Sequence, residues 1–240
     1  MNNTEDKNSK NQNSFEITRY MELLETEKQY AELMNKYRCA IMEVETKLNV
    51  LNAEFSLQYD RNPFESIKSR LKSPASILKK LQRKCEIHCT EELGKCIETH
   101  LYDVAGIRVI CAFQEDIYHL VDLLLQQDDV QLIRIKDYIK NPKPNGYRSL
   151  HVILEIPVFQ STGKTPVKVE VQFRTIAMDF WASVDHKLRY KKRVEHEELL
   201  VERLRKCADI ITALDNEMQD IRTMIEAEPE EDELERESHS

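Results

Sequence analysis

Apolar residues recur at three- and four-residue steps early in the chain, through Ile17, Met21, Leu24, Tyr30, Leu33, Tyr37, Ile41, Val44, Leu48 and Leu51. No Pro or Gly interrupts them, so the period predicts one long amphipathic helix, or two, over 15–60, ended by Asn62-Pro63. The same period returns near the end, in Leu200, Leu204, Ala208, Ile211, Leu214, Met218, Ile221 and Ile225, and predicts a helix over about 196–227. Such faces suit packing or self-association. Between the two, the pattern changes. Ser73 reads as an N-cap and Pro74 as the first residue of a helix reaching Lys84. A polar, helix-like linker covers 91–102. The apolar run 107–113 reads as a central strand broken by Arg108, 116–126 as a helix, and 130–139 and 149–157 as strands. Residues 167–174 alternate cleanly, with Val167, Val169, Val171 and Phe173 on one side and Lys168, Glu170, Gln172 and Arg174 on the other. Thr175 then opens a helix over 176–190 whose apolar side is Ile176, Phe180, Trp181, Val184 and Leu188.

That order predicts an α/β (α+β) fold: a mixed sheet of about five strands flanked by helices, with long helices at both ends. A chain of 240 residues buries one sizeable core with helical appendages rather than two full domains. The expected parts are a disordered start (1–14), a helical element (15–61), the main domain (62–192), a terminal helix (193–227) and an acidic disordered tail (228–240). The polar start has no apolar signal region, and no apolar run approaches the ~20 residues that span a bilayer. A cytoplasmic protein without membrane contact is therefore expected, with its six cysteines reduced. Cys85, His88, Cys89 and Cys96 could form a metal site, but their spacing has no paired Cys-x-x-Cys pattern, and ordinary thiols are the simpler reading.

The net charge of −8 hides a strong asymmetry. Residues 228–240 carry seven acids and one Arg, whereas 66–84 hold seven Lys/Arg and no acid. A solvated basic face would account for the second segment. Its geometry argues for more, because Ser76, Lys80 and Arg83 share a helix face while Arg70 and Lys72 sit just before the helix start, where free N–H groups favour an anion. Lys143-Pro144-Asn145-Gly146-Tyr147-Arg148-Ser149-Leu150-His151 adds a tight turn, a ring for stacking and further cations. Asp103 and Glu170 stand on different strands, and two carboxylates meeting between basic walls can hold Mg²⁺ on a polyphosphate. No Gly-x-x-x-x-Gly-Lys-Ser/Thr motif occurs, which excludes a P-loop enzyme. His186 on its own reads as a packed or surface residue.

These pieces resemble, in order, the synthetase domain of the RelA/SpoT family, and in particular its small alarmone synthetases. The matching segments are Ser69-Arg70-Leu71-Lys72-Ser73-Pro74 with Ser76 to Lys80, Asp103-Val104-Ala105-Gly106-Ile107-Arg108, Arg134-Ile135-Lys136-Asp137-Tyr138-Ile139, the loop to His151, Val169 to Thr175, and Ala177 to Ser183 running on to Asp185-His186 and Tyr190-Lys191. The resemblance implies a nucleotidyltransferase-like fold and transfer of the β,γ-pyrophosphate of ATP to the 3′-hydroxyl of GTP or GDP. It implies that Arg70 and Arg108 sandwich adenine and that Lys72, Ser76, Lys80 and Arg83 hold ATP phosphates. Asp103 and Glu170 would be the catalytic, Mg²⁺-binding carboxylates, with Glu170 also taking the proton. Tyr147 would stack on guanine, and Lys136, Lys143, Arg148, Ser149, His151, Gln172 and Asp179 would face the acceptor.

Without a hydrolase region, synthesis alone is expected. Ser66 and Lys68 stand where the product-stimulated subgroup has Phe and Thr, and Asp179 and Asp185 where Asn and Glu are common, so the chain resembles the RelP-like subgroup. Homotetramers through terminal helices fit that subgroup, and a regulatory nucleotide or RNA is a conceivable partner. Two other readings remain: a non-catalytic nucleotide- or RNA-binding regulator using the basic segment and Tyr147, and the same chemistry on an adenosine nucleotide or a tRNA 3′ end.

Overall fold

Alternate residues of the longest strands are sequestered, and this sets the architecture. Leu150, Val152, Leu154, Ile156 and Val158 are buried on one side of a strand over Leu150–Gln160, as are Val167, Val169, Val171 and Phe173 on its neighbour. In the computed structural model, which describes residues 28–58, 61–84, 93–189 and 197–227, the element order is as follows. Helix α1 (Lys28–Gln58) leads to strand β1 (Phe64–Leu71), helices α2 (Pro74–Lys84) and α3 (Leu93–His100), and strand β2 (Ala105–Cys111). Helix α4 (Gln114–Leu125), strands β3 (Gln131–Asp137), β4 (Leu150–Gln160) and β5 (Gly163–Thr175), and helices α5 (Ile176–Arg189) and α6 (Glu197–Ala227) complete it.

The five strands form one mixed sheet in the order β1-β2-β5-β4-β3. Only β2 and β5 run parallel; the other pairs are antiparallel. One face is apolar and takes the long helix α1, whose Tyr37, Ala40, Ile41, Val44, Leu48 and Phe55 are buried. Fully buried aliphatic side chains such as Val44 and Leu48 each contribute about 1.5–3 kcal/mol. The other face carries the polar residues. Across all five strands, Lys68, Arg108, Gln172, His151 and Lys136 pair in one continuous register.

The predicted helices and strands are present where the described residues reach them, with two informative differences. Strand β1 was not foreseen: its Phe-Glu-Ser-Ile-Lys-Ser-Arg-Leu sequence has weak alternation, because as an edge strand it exposes Lys68 and Arg70. The predicted strand 107–113 instead ends at Cys111; Phe113 is the extended residue before α4, and its N–H donates to Asp116 Oδ2 at 3.3 Å. The expectations for 1–27 and 228–240 lie outside the described residues.

Helix α6 is fixed by polar contacts. Trp181 Nε1 donates to the Leu204 carbonyl at 3.0 Å, and Thr175 Oγ1 donates to Asp215 Oδ2 at 2.8 Å. Asp116, buried on α4, accepts from Arg61 at 2.6 and 2.8 Å and from Arg222 of α6 at 3.2 Å, and both guanidinium groups lie over the Phe113 ring. Replacing this carboxylate leaves two clustered cations without their shared counter-charge. Asp116→Ala is expected to destabilise the protein by roughly 3 kcal/mol, measured by urea denaturation.

Candidate active site

Asp103 lies immediately before β2, where the chain turns toward the polar face. Lys72, just after β1, and Lys80, two turns into α2, both donate to its Oδ2, at 2.8 and 2.6 Å. The Lys72 N–H also donates to the Val104 carbonyl at 2.9 Å, so the approach to the basic helix is held against the start of β2. Burial would push the Asp103 carboxyl up, but the two ammonium groups outweigh it and hold it below the usual carboxylate range. Its other oxygen, Oδ1, is buried without a hydrogen-bond partner.

The parallel register sets Gly106 of β2 beside Glu170 of β5, which puts this second carboxylate near Asp103. Glu170 is buried, which would raise its pKa, and the Asp103 charge acts in the same direction. Hydrogen bonds from His151 and Gln172 prevail and keep it ionised: Gln172 Nε2 donates to Oε2 at 2.7 Å, and His151 Nδ1 lies 3.3 Å from Oε1. Burial and the neighbouring Arg174 and Lys143 charges lower the His151 pKa against the pull of Glu170, so its ring is neutral near pH 7. A neutral imidazole that donates from Nδ1 accepts at Nε2, and Tyr147 Oη lies 2.8 Å from that nitrogen.

The aromatic loop is built as its sequence predicts. Gly146 N–H donates to the Lys143 carbonyl at 2.8 Å, closing a turn through Pro144 and Asn145, and Gly146 adopts a φ of 88° that favours glycine. Asn145 Oδ1 accepts the Tyr147 N–H at 3.3 Å. Gly146 also packs against α6, where a Cβ would come within 2.4 Å of Ala208 Cβ. Tyr147 stands edge-on to Tyr138, His151 and Trp181, and the Lys143 ammonium is 4.6 Å from its ring centre.

Of the residues expected to act, Asp103, Lys72, Lys80, Arg108, Glu170, Gln172, Asp179, His151 and Tyr147 are joined through hydrogen bonds or ion pairs in this region, and Lys136 joins them by register. Arg70, Ser76 and Arg83 line its outer, exposed side on β1 and α2. Ser149 and Arg148 are held differently. Ser149 is fully buried and donates to the Phe173 carbonyl at 3.0 Å, while Arg148 donates to the Ile139 carbonyl at 3.0 Å, so both hold the loop in place. Arg174 was not foreseen as a site residue, yet it is buried and donates to Tyr147, Gln172 and Asp179. The signal was the alternation of 168–174, which already put Arg174 on the face of Glu170. A cavity of about 430 Å³ lies elsewhere, by Phe55, Arg61 and Arg222; its arginines are paired with Asp116, and the chemistry is concentrated around the carboxylates instead.

The carboxylate pair suits a hard cation. Both groups are ionised oxygen donors, and the orphaned Oδ1 of Asp103 is a buried acceptor that a cation would satisfy. No group of three or more His, Cys, Asp or Glu among the described residues could hold a metal ion. Cys85, His88 and Cys89 lie outside the described residues, and Cys96 is disulfide-bonded rather than a reduced thiol, so its sulfur is not a thiolate ligand; Cys39, Cys111 and Cys207 are free.

Comparison with known proteins shows what the chain is similar to. GTP pyrophosphokinase YwaC from Bacillus subtilis is 44% identical over 191 residues, which are 79% of this chain and 89% of that protein. GTP pyrophosphokinase YjbM from the same organism is 36% identical, over 82% of this chain and 90% of the relative. The crystal structure of small alarmone synthetase 1 from Bacillus subtilis bound to its product pppGpp superposes with a TM-score of 0.75 at 35% identity, covering 83% of this chain and 99% of that one. Small alarmone synthetase 2 from Bacillus subtilis gives 0.69 at 42% identity, covering 80% and 97%. The region found in RelA / SpoT proteins matches residues 69–195, and the chain belongs to the RelA/SpoT family.

Proposed function

We propose that this protein is a GTP pyrophosphokinase that moves the β,γ-pyrophosphoryl group of ATP to the 3′-hydroxyl of GTP or GDP, forming pppGpp or ppGpp and AMP. The observation that carries the reading is the pairing of Asp103 and Glu170 between a basic helix and an aromatic loop, in a chain whose relatives bear that name. One relative has been solved with pppGpp and with AMPCPP, an ATP analogue, which supports a site for two nucleotides.

The donor belongs on the side of β1 and α2. Arg70 and Arg108 flank its adenine, and Lys72, Ser76, Lys80 and Arg83 bind its phosphates. Lys72 and Lys80 now share Asp103 Oδ2, so an incoming polyphosphate competes for ammonium groups that are already gathered. The acceptor belongs on the side of β3 and the loop. Its guanine stacks on Tyr147, the exposed Lys143 yields its place over that ring, and Lys136 and Gln172 meet the sugar and 5′-phosphates. Asp103 and Glu170 would hold Mg²⁺, whose charge would offset the negative charge of the donor phosphates.

The acceptor 3′-oxygen forms a bond to the β-phosphorus while the bond from that phosphorus to the α,β-bridging oxygen breaks, and AMP leaves. Glu170, held ionised by Gln172 and His151, takes the hydroxyl proton. A carboxylate is a weak base for an alcohol, so most of the acceleration comes from alignment and from the cations around the transferred group.

Assembly is the remaining element of the proposal. Leu199, Ile210, Leu214, Met218, Ile221, Met224 and Ile225 are exposed along α6, an apolar surface suited to contact between copies in a homotetramer. A cytoplasmic location belongs to the same proposal; no helix among the described residues is long and apolar enough to cross a membrane.

Incubation with ATP, Mg²⁺ and GDP or GTP should release AMP and a 3′-pyrophosphorylated guanosine nucleotide in equal amounts, seen by anion-exchange chromatography. Glu170→Gln and Asp103→Asn should each reduce kcat on the order of 100-fold or more with the thermal midpoint nearly unchanged. Retained turnover in folded variants would contradict the assignment. For Tyr147→Ala, initial-rate kinetics should show the acceptor KM rising roughly tenfold or more, and by more than the ATP KM, because stacking on a base contributes about 1–3 kcal/mol.

A further inference from the structure

Arg174 has no part in the transfer chemistry above, yet its guanidinium donates hydrogen bonds to three side chains around the carboxylates. It is only 5% exposed. Its Nη1 donates to Asp179 Oδ1 at 2.8 Å, and its Nη2 donates to Tyr147 Oη at 2.8 Å and to Gln172 Oε1 at 3.2 Å. The guanidinium carbon lies 5.2 Å from the centre of the Tyr147 ring. The same Asp179 oxygen also pairs with Arg108 Nη1, at 3.2 Å. One carboxylate oxygen therefore joins a guanidinium assigned to the donor with the guanidinium that holds the acceptor's stacking ring.

This junction is not at rest electrostatically. Arg108 and Arg174 are like charges close enough to oppose each other, and Asp179 offsets them. The Nε atoms of both arginines are buried without hydrogen-bond partners, so both guanidinium groups have unused donors. If Arg108 turns to stack on a donor base, Arg174 keeps the Asp179 oxygen for itself. Its Nη2, already 2.8 Å from Tyr147 Oη, is then anchored by an undivided carboxylate, and through it the ring is held in one orientation.

We propose that Arg174 is a positioning residue that couples the two nucleotide pockets through Asp179 Oδ1 and the Tyr147 hydroxyl, so that filling one pocket raises the affinity of the other. The inference rests on the assignment of Arg108 to the donor and Tyr147 to the acceptor. It gives Tyr147 two separable functions: the ring stacks, and the hydroxyl receives the signal. Coupling of this kind is reciprocal, with the donor raising acceptor affinity by the same factor.

Isothermal titration of the full chain with AMPCPP and Mg²⁺ tests it. That analogue has carbon at the α,β-bridge and cannot donate its pyrophosphate. In the unaltered protein, saturating GDP should tighten AMPCPP binding by about fivefold or more. In Tyr147→Phe, which keeps the ring, and in Arg174→Lys, which keeps the charge, that factor should fall toward one while AMPCPP alone still binds within about twofold of the unaltered protein. Tyr147→Phe is the safer variant, since Arg174 is buried and its replacement could lower stability; thermal melts identify a folded sample. Undiminished coupling in folded Tyr147→Phe would overturn the proposal, as would absence of coupling in the unaltered protein. Failure of the unaltered protein to bind AMPCPP or to form product from ATP and GDP would overturn the functional reading itself, and the coupling with it.

Discussion

The parallel pairing of β2 with β5 is the constraint on which the site depends. Two strands can run parallel only if the chain crosses over between them, and here α4, β3 and β4 supply that crossover. The register sets Gly106 beside Glu170 and Arg108 beside Gln172. As a result, Asp103, which precedes β2, lies close enough to a carboxylate 67 positions later in the chain to act on its charge. Each acid alone is an ordinary polar residue at a strand. A shift of one residue in this pairing would turn Glu170 toward the apolar face, so burial of Val169, Val171 and Phe173 also holds the chemistry in place.

Burial and charge oppose each other throughout the site. The chain as a whole is acidic at −8, yet its polar sheet face gathers lysines around Asp103 and arginines around Asp179. Desolvation by itself would raise the pKa of Asp103 and Glu170; hydrogen bonds and ammonium groups reverse that. The cost is a cluster of cations pressed together. Arg108 has its charged form disfavoured first by burial and then by the neighbouring Arg174, and the partial desolvation of Lys143 lowers its pKa against the pull of Glu170, with Lys136 and Arg174 adding to it. A polyanionic ligand relieves that repulsion, so a site with this composition favours polyphosphate before any base is recognised.

The fold was legible where burial imposed a period. Helices α1, α2, α4 and α6 and strands β4 and β5 follow directly from three-four or two-residue spacing. Strand β1 was not, because an edge strand with one face in the site buries too little to show a period. The carboxylates, Lys80, Tyr147, Arg148 and Ser149 all stand in motifs that residue type and order single out. The structural partners of Ser149, Arg148 and Arg174 could not be read that way. Their tasks depend on partners distant in sequence: Ser149 on the Phe173 carbonyl, Arg148 on the Ile139 carbonyl, Arg174 on Tyr147 across two strands. Sequence reports which groups are present, while the tertiary structure decides whether each is free to meet a ligand or already committed.

That commitment explains why the terminal helix matters to an aromatic loop that precedes it by some fifty residues. Gly146 lies so close to Ala208 that no other residue type fits between the loop and α6 without displacement. Trp181, Leu204 and Ala208 form a small apolar cluster against which Tyr147 packs. Arg148 faces Asp215 on the same helix, where burial raises the carboxyl pKa and Thr175 and Arg148 counter it. The loop is thus shaped from beneath by α6 and from the side by the sheet, so little conformational entropy is left for a nucleotide to remove on binding. The same helix presents Leu214, Met218 and Ile221 outward. One helix therefore carries both the inner cluster that supports Tyr147 and this apolar outer surface.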